Sequence, residues 1–593
     1  MAFNSKDLKE MTRAVCAYAL HTLRMAASGH IGIVLGCAPI ITTVYANFLR
    51  RGRDKFVLSA GHGSALLYAT LKLAGYDVGD LNHFRKVGGL PGHPEYGIDG
   101  VDATTGPLGQ GVANAVGMAL AEKINKTDSR VYCLCSDGDL MEGISAESMA
   151  FAGLYKLNNL VVLWADNGVS IDGRALTDVD VSARMVAAGW QVATVQGDDF
   201  AQLNRVLNNA KKSAAPVFVQ CKTEIGRGSS LAGSSKAHGF ALSDSELRQL
   251  IQENVTEQGD SLWGTVAIAG RAFVATDTDT LLPSVALSDV YDYISTRELS
   301  GIYLNELLNA GAKIFGGSAD LGGSTNVRVA ASRDITADDF SGNYIHFGVR
   351  EHAMAGIMNG MAICGLRVYG STFLVFSDYM RPSIRLAALS GLPVVYVLTH
   401  DSIAVGEDGP THQPVEQLPS LRMMPNLNVF RPCNGGELIY AWRRALTEKN
   451  KPTCIVLTRQ KIKQIPAPLG VDFGRGAYVI RAAKGARVRV TVLATGSEVP
   501  LAVKVAEKLG DSVQVVSVLS VADFRMQGME YKQKILQGFV VAIEAAASAP
   551  WFEFADAVVG IDRFGLSGAG NEVYSGLGFD EDVIVADIKN KIK

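Results

Sequence analysis

The stretch VYCLCSDGDLMEGISAESMAFAGLYKLNNLVVLWADNGV, residues 131–169, decides the fold class of this chain. Val131–Cys135 and Leu160–Ala165 are short uncharged runs, and Gly143–Leu157 between them has the composition of a helix. Two apolar strands joined by one helix form a βαβ unit, in which the strands are parallel and covered on both faces. We therefore predict an α/β protein that binds its ligands at the carboxyl ends of these strands.

Oxygen donors follow both strands. Asp137 closes the first strand and Asn167 closes the second, and adjacent parallel strands lie about 5 Å apart. A carboxylate, an amide oxygen and nearby carbonyls suit Mg²⁺ or Ca²⁺ rather than zinc, and an incomplete oxygen shell leaves room for the phosphates of a cofactor. Each motif alone would be an ordinary turn, but the two together predict a metal–diphosphate site.

Length and charge bound the class of protein. The 593 residues, 48% of them hydrophobic, are enough for three domains of ordinary size. Net charge is −3, from 56 basic and 59 acidic residues, and the longest basic run is RRGR at 50–53. This balance lacks the basic footprint of a nucleic-acid-binding protein.

The cysteines and the N-terminus indicate the compartment. Eight cysteines are scattered along the chain, and Cys133 and Cys135 lie within a predicted buried strand, which favours core packing in a reducing cytoplasm. The start MAFNSKDLKE lacks an apolar signal core. The uncharged run 31–49 would nearly span a bilayer, but Pro39, two glycines and polar residues interrupt it. We interpret it as a loop followed by a buried helix, and expect no membrane association.

Histidines stand in three loops of the first third. We predict helices at 5–27 and 39–50, with the loop SGHIG between them that contains His30. His62 follows the predicted strand Phe56–Ser59, and His93 lies in the proline-flanked loop LPGHPE. One such histidine is more often structural than functional, but loops at strand ends carry chemistry.

A glycine-rich loop, TGPLGQG at 105–111, precedes a predicted helix at 112–123. Glycines before a helix let backbone N–H groups approach a phosphate, and the helix N-terminus favours its negative charge. A plain turn is the alternative, but the loop comes directly before the predicted metal-site strand.

Further α/β segments complete three consecutive doubly wound α/β domains. The third block has strands from about Val488 onward. We predict a diphosphate- and metal-binding domain, a linker, a pyrimidine-binding domain and a C-terminal α/β domain at residues 1–260, 261–286, 287–462 and 463–593, the irregular composition of 254–286 indicating the linker.

Nine motifs, in order along the chain, resemble those of the transketolase family. They are SGH at 28–30, LSAGH at 58–62, PGHPE at 91–95, TGPLGQG at 105–111, the DG…N pair at 137–167, GVREHAM at 348–354, STFLVFSDY at 371–379, HDSIAVGEDGPTHQP at 400–414 and LTRQ at 457–460. The last 130 residues match this family more loosely.

The resemblance implies a thiamine-diphosphate-binding fold that uses Mg²⁺, with Ca²⁺ possible, in a homodimer whose active sites lie at the subunit interface. It implies that Asp137, Asn167 and the carbonyl of Val169 hold the metal. It implies that Glu351 shares a proton with the cofactor's pyrimidine ring, which an apolar setting favours by disfavouring the ionised carboxylate. The cofactor-binding residues carried over are His62, Gly106, Pro107, Leu108, Gly138, Asn167, His238, Glu351, Phe373, Phe376 and Tyr379.

The resemblance also implies sugar-phosphate substrates. His30 and His238 would transfer protons at the donor's hydroxyl, as neutral imidazoles can near pH 7, while His93 and Asp408 would hold hydroxyls. The terminal phosphate would bind Arg297, Ser324, His400 and Arg459, with His412 near the same channel. For the arginines alone, an ion pair would be the ordinary interpretation, although the guanidinium fork matches phosphate oxygens.

Three positions depart from the family pattern. Ile31 replaces the proline after His30, which removes a restraint on the histidine backbone. Ser136 replaces the glycine before Asp137, and Gly323 stands where proline is common before Ser324. The chain is also shorter than typical members of the family.

The resemblance therefore implies transketolase activity, the reversible transfer of a two-carbon ketol unit from a ketose phosphate such as xylulose 5-phosphate to an aldose phosphate such as ribose 5-phosphate, in the pentose phosphate pathway. Three alternatives remain open at this point: a dihydroxyacetone synthase, a 1-deoxyxylulose-5-phosphate synthase and a cofactor-binding protein without turnover.

Overall fold

The first sheet is built on the stretch 131–169. In the computed structural model, which describes residues 2–175, 180–266, 291–485 and 487–592, Val131 pairs with Leu160 and the parallel register continues to Ser136 opposite Ala165. The predicted βαβ unit is thus confirmed. Five parallel strands form this sheet, in the spatial order Lys55–Leu58, Val131–Ser136, Leu160–Asp166, Val217–Lys222 and Gln191–Gln196.

Helices cover this N-terminal sheet and supply its apolar core. The short hairpin of Val169–Ser170 and Gly173–Arg174 follows the third of its strands. The helices are Ser5–Ala26, Ile31–Asn47, Ser64–Leu73, Gln110–Ile124, Asp137–Met141, Gly143–Leu154, Val181–Ala187, Phe200–Ala210, Asp244–Asn254 and Glu257–Gly264.

The second of these helices corrects the sequence prediction. It begins at Ile31, directly after His30, rather than at residue 39, and nearly all of it is buried. A Cβ on Gly32 would lie 2.4 Å from Ile225 Cγ1, and a Cβ on Gly36 would lie 3.0 Å from the Glu224 carbonyl oxygen. The two glycines that suggested a loop therefore serve close packing of a buried helix.

The middle sheet has six parallel strands. Their spatial order is Tyr344–His346, Phe315–Ser318, Val368–Phe373, Val394–Thr399, Thr453–Leu457 and Asn428–Phe430. A two-stranded antiparallel pair joins Tyr293–Ile294 to Ile462–Lys463. The accompanying helices are Thr296–Asn309, Glu351–Ile363, Ser377–Ser390, Gln417–Arg422 and Gly435–Thr447.

The C-terminal sheet has five strands, of which one is antiparallel. That strand, Ala477–Arg481, lies before the start near Val488 expected from the sequence. The spatial order is Ala477–Arg481, Val513–Val518, Val490–Ala494, Phe539–Ile543 and Ala557–Val559. The helices are Val499–Leu509, Val521–Arg525, Met529–Ile535, Gly570–Gly576 and Glu581–Lys591.

The described residues divide into two compact units. The first consists of the N-terminal part with 336–341 and 355–366, and the second contains the rest. The helix Glu257–Gly264 extends into the predicted linker 261–286, whose residues from 267 onward lie outside the described residues. All eight cysteines are free and buried. No helix in the described part of the chain is long and apolar enough to cross a membrane.

Candidate active site

Four histidines from four separate segments cluster in the first unit. His30 precedes the helix Ile31–Asn47, His62 lies in the turn Gly61–Gly63 after the first strand, and His238 ends the turn Ser235–His238. The ring centroid of His30 lies 5.2 Å from that of His62, 6.2 Å from that of His93 and 5.1 Å from that of His238. The structure therefore brings together His30, His62, His93 and His238, the four histidines of this region that were predicted from the sequence as site residues.

These imidazoles are neutral near pH 7. Burial, with the neighbouring His238 and Arg85, lowers the pKa of His30 to about 4. Burial also lowers the pKa of His62 to about 3, and it lowers the pKa values of His93 and His238. A neutral imidazole can accept a proton at one nitrogen and donate one from the other.

The lowered pKa values predict a loss of stability at acid pH. The pKa of a histidine in the unfolded chain is about 6.5, whereas the pKa of His30 in the folded chain is about 4. Between these two pH values the unfolded chain therefore binds a proton that the folded chain does not. The free energy of unfolding should therefore fall as pH decreases across this window.

We expect the wild type to lose about 1–2 kcal/mol more than His30→Asn between pH 7 and pH 5, in denaturant titrations of the cofactor-free protein. The exposed-site variant His21→Asn should keep the wild-type slope, and parallel slopes for all three proteins would contradict this prediction.

Arg85 contacts this histidine cluster, although it was not predicted from the sequence as a site residue. Its Nη1 donates to Ser28 Oγ at 2.7 Å, and its Nη2 lies 3.4 Å from His30 Nδ1. Its backbone is left-handed, with φ of 59°. The contact presents a donor to Nδ1, which favours the His30 tautomer that carries its proton on Nε2. No sequence motif marks Arg85, because it reaches the site through the conformation of its loop.

The residue after His30 is a buried isoleucine rather than the proline of the family pattern. His30 itself is extended, with φ of −127° and ψ of 103°, and Ile31 is 1% exposed. Burial of Ile31 and the Arg85 contact thus constrain His30 from both sides.

The glycine-rich loop lies against the same cluster. Gly106 has φ of 142°, and a Cβ there would lie 3.3 Å from His93 Cγ. Leu108 packs against Gly138, two residues after the strand Val131–Ser136, because a Cβ on Gly138 would lie 3.0 Å from Leu108 Cδ1. The helix Gln110–Ile124 begins within this loop, two residues before the start at 112 predicted from the sequence. Gly106 and Gly138 therefore leave room for the side chains of His93 and Leu108 at this strand end, beside the N-terminus of a helix.

The two aspartates of the DGD motif have different environments. Asp139 accepts hydrogen bonds at both oxygens, from Ser59 Oγ and Gly109 N at Oδ1 and from Ser136 N and Oγ at Oδ2. Asp137 is 2% exposed, and its Oδ2 is buried without a hydrogen-bond partner. Burial and the nearby Asp166 raise the pKa of Asp137 to about 6. Asp137 is thus the carboxylate with an open oxygen, whereas Asp139 holds the loop together.

The other proposed metal ligands follow the neighbouring strand. Asn167 Oδ1 accepts a hydrogen bond from Val169 N at 2.9 Å, which fixes the turn between these two residues. Ser136, a departure from the family, caps the helix Asp137–Met141 through Asp139. The expected set contains one carboxylate and two neutral oxygens, and no group of three or more His, Cys, Asp or Glu suited to a metal occurs in the described residues.

Glu351 and an aromatic row lie at the end of one strand of the middle sheet. Glu351 begins the helix Glu351–Ile363, and its Oε1 accepts a hydrogen bond from Thr372 Oγ1 at 3.2 Å. Phe373 stacks on Phe376 with centroids 5.7 Å apart, and Tyr379 lies 6.2 Å beyond Phe376. The carboxylate and the row meet at the carboxyl end of the strand Val368–Phe373.

The residues expected to bind phosphate gather in the second unit. Arg297 donates to the carbonyl of Ser324, and its Nε is buried without a partner. Burial, with the neighbouring Arg297, Arg459 and His412, lowers the pKa of His400 to about 3. Arg459 likewise lowers the pKa of Arg297, where burial has the larger effect. Two guanidinium groups whose charges act on each other favour an anion between them.

The remaining sequence-selected residues lie in one loop. His400 is left-handed, with φ of 60°, and its ring stacks on Phe373 at 3.6 Å. His412 lies edge-on to Phe376 at 5.3 Å. Asp408 is exposed at the end of the turn Ile403–Asp408. The loop thus presents two rings to the aromatic row and an accessible carboxylate beside them.

Family models match nearly the whole chain. Residues 8–258 match the model described as "Transketolase, thiamine diphosphate binding domain", and 292–464 match "Transketolase, pyrimidine binding domain". Residues 476–580 match "Transketolase-like TK C-terminal domain". This chain belongs to the transketolase family. We refer to the three matched regions as the N-terminal, middle and C-terminal domains.

Curated relatives cover the same length. A transketolase of Geobacillus stearothermophilus is 40% identical over 666 residues, covering 99% of this chain and 99% of the relative. A transketolase of Bacillus subtilis is 40% identical over 670 residues, covering 99% and 98%. As in these transketolases, the chain's activity is the transfer of a two-carbon ketol unit from a ketose phosphate to an aldose phosphate.

Solved transketolases share the fold. The enzyme of Campylobacter jejuni superposes with a TM-score of 0.92 at 36% identity, covering 99% of this chain and 100% of that one. A Pichia stipitis transketolase in complex with sedoheptulose 7-phosphate gives a TM-score of 0.88 at 33% identity, covering 99% and 98%. The predicted fold class, three consecutive α/β domains of a thiamine-diphosphate-binding transketolase, is therefore confirmed.

Proposed function

We propose that two copies of this transketolase form the active dimer, in which the N-terminal domain of one copy and the middle domain of the partner contribute to each active site. The proposal is supported by the division of the cofactor residues between domains. Asp137, His62 and the Gly106 loop lie in one domain, and Glu351 with the aromatic row lies in the other. Neither set alone contains both diphosphate-binding and pyrimidine-binding groups.

The residues present fit thiamine diphosphate and a divalent cation. Asp137 Oδ2 is an orphaned buried carboxylate oxygen, which a cation would satisfy. Asn167 and the Val169 carbonyl would complete the protein's share of the ligands, with Mg²⁺ as the expected ion and Ca²⁺ as an alternative. His62, Gly106, Pro107, Leu108 and Gly138 would line the diphosphate. When bound, the cofactor supplies the electron sink for the transferred two-carbon unit.

The side chains of this chain bind, orient and move protons. Glu351 would hold a proton at the pyrimidine ring, and Phe373, Phe376 and Tyr379 would pack about that ring. His30 and His238, both neutral at pH 7, would exchange a proton with the donor's hydroxyl. His93 and Asp408 would hold sugar hydroxyls and so orient the bond that is cleaved.

Sugar phosphates are the substrates that the second unit suits. Solved Pichia stipitis relatives hold sedoheptulose 7-phosphate and, in a variant, fructose 6-phosphate. Arg297, Arg459, His400 and Ser324 supply two fixed positive charges and neutral donors for one phosphate. His412 would lie beside the same channel. The eight buried free thiols are consistent with a reducing cytoplasm, where the pentose phosphate pathway operates.

Arg459→Ala should separate recognition from chemistry. A residue that binds the terminal phosphate contacts ground state and transition state alike, so its loss should raise KM with kcat little changed. A charge-assisted contact contributes roughly 1.5–3 kcal/mol, so kcat/KM for xylulose 5-phosphate should fall about 10- to 150-fold. Hydroxypyruvate with an unphosphorylated acceptor should be affected much less.

The control for this prediction is Arg443→Ala, which removes an exposed arginine of the same domain. It should leave both reactions unchanged. Equal losses with phosphorylated and unphosphorylated substrates in Arg459→Ala would assign Arg459 a structural role instead.

The four neutral histidines and the open Asp137 oxygen of the N-terminal domain support the catalytic part of this proposal. A coupled assay with xylulose 5-phosphate and ribose 5-phosphate, with and without thiamine diphosphate and Mg²⁺, tests it. We expect turnover only when both cofactors are present. Sedimentation analysis of the loaded enzyme should show a dimer, and full activity of a monomer would contradict the shared site.

A further inference from the structure

One loop carries three of the proposed substrate residues. The 400–413 loop, HDSIAVGEDGPTHQ, contains His400, Asp408 and His412. On one side its histidine rings meet the aromatic row of the middle domain. Its other side is held by residues of the C-terminal domain, a domain to which the proposed function gives no role.

Tyr574 makes the first of these contacts. It lies in the helix Gly570–Gly576, and its hydroxyl oxygen lies 2.8 Å from Glu498 Oε1 and 3.2 Å from Ser402 Oγ. Glu498 and Ser402 are both buried. One phenol thus connects the start of the loop to a buried carboxylate of the C-terminal domain.

Gln413 makes the second contact, at the end of the loop. The side chain is 3% exposed, and its Nε2 donates to two carbonyls, of Gly406 at 2.9 Å and of Leu566 at 2.8 Å. One amide therefore joins the middle of the loop to the 565–570 segment of the C-terminal domain. A Cβ on Gly565 would lie 1.7 Å from Gln413 Oε1, so the amide is closely packed.

Glycines bring the two backbones together between these contacts. Gly406 has φ of 79° and ψ of −115°, and a Cβ there would lie 3.2 Å from Gly568 O and from Gly570 N. A Cβ on Gly570 would in turn lie 3.1 Å from the carbonyl oxygen of Ala404. The loop conformation that precedes Asp408 therefore depends on the shape of the C-terminal domain.

Buried charges fix the residue next to His400. Asp401 Oδ2 accepts from Arg431 at Nε and Nη2, at 3.0 and 2.8 Å, and Ser497 Oγ lies 3.2 Å from the same oxygen. Arg431 also donates to Glu498 Oε2 at 2.6 Å. Asp401, Arg431 and Glu498 thus form one buried ion cluster between the middle and C-terminal domains, and Asp401 directly follows His400 in the chain.

From these contacts we propose that the C-terminal domain positions the 400–413 loop, and that Tyr574 and Gln413 are positioning residues for the ketose donor. This inference rests on the proposed substrate roles of His400, Asp408 and His412. Tyr574 and Gln413 act through the loop, by limiting the conformations in which Asp408 and His412 meet the sugar. Loss of either contact should therefore weaken donor binding more than it slows the chemical step.

Steady-state kinetics of the full-length enzyme, loaded with thiamine diphosphate and Mg²⁺, tests the proposal. Tyr574→Phe should raise KM for xylulose 5-phosphate about 2- to 12-fold, the change expected for one ordinary hydrogen bond, with kcat within about 2-fold of wild type. Gln413→Leu, which removes two hydrogen bonds, should raise KM further. The affinity for thiamine diphosphate, measured by calorimetry, should not change in either variant.

The matched control is Tyr531→Phe. Tyr531 is also in the C-terminal domain, and its hydroxyl donates to the carbonyl of Ala477 at 2.7 Å, away from the 400–413 loop. It should lower the thermal midpoint as Tyr574→Phe does while leaving KM unchanged. An equal rise of KM in the control, or an unchanged KM in both Tyr574→Phe and Gln413→Leu, would overturn the proposal.

Asp408→Asn distinguishes this inference from the site assignment beneath it. If Asp408 binds a donor hydroxyl, Asp408→Asn raises KM by itself, and its combination with Tyr574→Phe should cost less than the two separate effects together. An unchanged KM in Asp408→Asn would remove Asp408 from the proposed function. A raised KM in Asp408→Asn with purely additive effects would leave that function intact and refute the positioning role of Tyr574.

Discussion

Replacing Glu351 with alanine is expected to lower kcat at least about 100-fold while metal and diphosphate binding remain. Loss of one positioned acid–base group has an effect of about 10²–10⁴-fold. Glu351 begins its helix beside the aromatic row and accepts a hydrogen bond from Thr372, which orients the carboxylate. Single-turnover and steady-state assays, with calorimetry of thiamine diphosphate binding, measure the two quantities separately.

Two comparisons make this result specific. Glu306→Ala removes an exposed glutamate from a helix of the same domain and should leave kcat unchanged. Thr372→Val removes the hydroxyl that donates to Glu351 and should lower kcat by less than Glu351→Ala does. A kcat near the wild-type value in Glu351→Ala would exclude Glu351 from the proton transfer.

Asp137→Ala is expected to abolish retention of the cofactor. With the carboxylate gone, the cation would lose its one anionic protein ligand, and the diphosphate charge would remain uncompensated. Removal of one partner from a buried charge pair costs about 3–5 kcal/mol, so affinity for thiamine diphosphate with Mg²⁺ should fall at least about 100-fold. Calorimetry and gel filtration of the loaded enzyme would detect this loss.

The neighbouring aspartate supplies the contrast. Asp139 accepts hydrogen bonds from Ser59, Gly109 and Ser136, so Asp139→Asn should lower the thermal midpoint of the cofactor-free protein. Asp137→Asn should not lower it, because the amide oxygen can still accept from Trp164 Nε1 and the replaced Oδ2 has no hydrogen-bond partner. An unchanged cofactor affinity in Asp137→Ala would place the metal elsewhere.

The sequence predicted those parts of the fold that follow from local pattern. Val131–Cys135 and Leu160–Ala165 are uncharged runs of strand length around one helix, and they pair in parallel as expected. The order of strand, polar residue and helix was enough to place Asp137 and Asn167 at one sheet edge. Of the four histidines, His62 follows the first strand and His30 precedes a helix, whereas His93 and His238 reach the cluster from loop and turn segments.

Local pattern was misleading where glycine had a tertiary role. Gly32, Gly36 and Pro39 are typical loop or helix-ending residues, yet the helix Ile31–Asn47 includes all three. The glycines allow the backbone at Glu224 and Ile225 to approach, a contact nearly 200 residues away in sequence. No short-range signal distinguishes a glycine needed for close packing from one needed for a turn.

Contacts between segments that are distant in the sequence could not be predicted from local pattern either. Arg85 touches His30 from a loop 55 residues away, and Tyr574 reaches Ser402 across 172 residues. Their residue types carry no signature, since an arginine in a loop and a tyrosine in a helix are ordinary. Motifs selected the four histidines that the structure brings together, whereas the contacts of Arg85 and Tyr574 required the fold.

The buried cysteines can report which part of the folded chain unfolds first. Burial raises the pKa of every one of the eight thiols, and the thiolate is the form that alkylating reagents attack. Labelling therefore requires that the surrounding segment first leave the core. Cys433 and Cys454 belong to the second compact unit and the other six to the first. Mass spectrometry of alkylated peptides can thus follow, without any engineered probe, which unit opens first under denaturant.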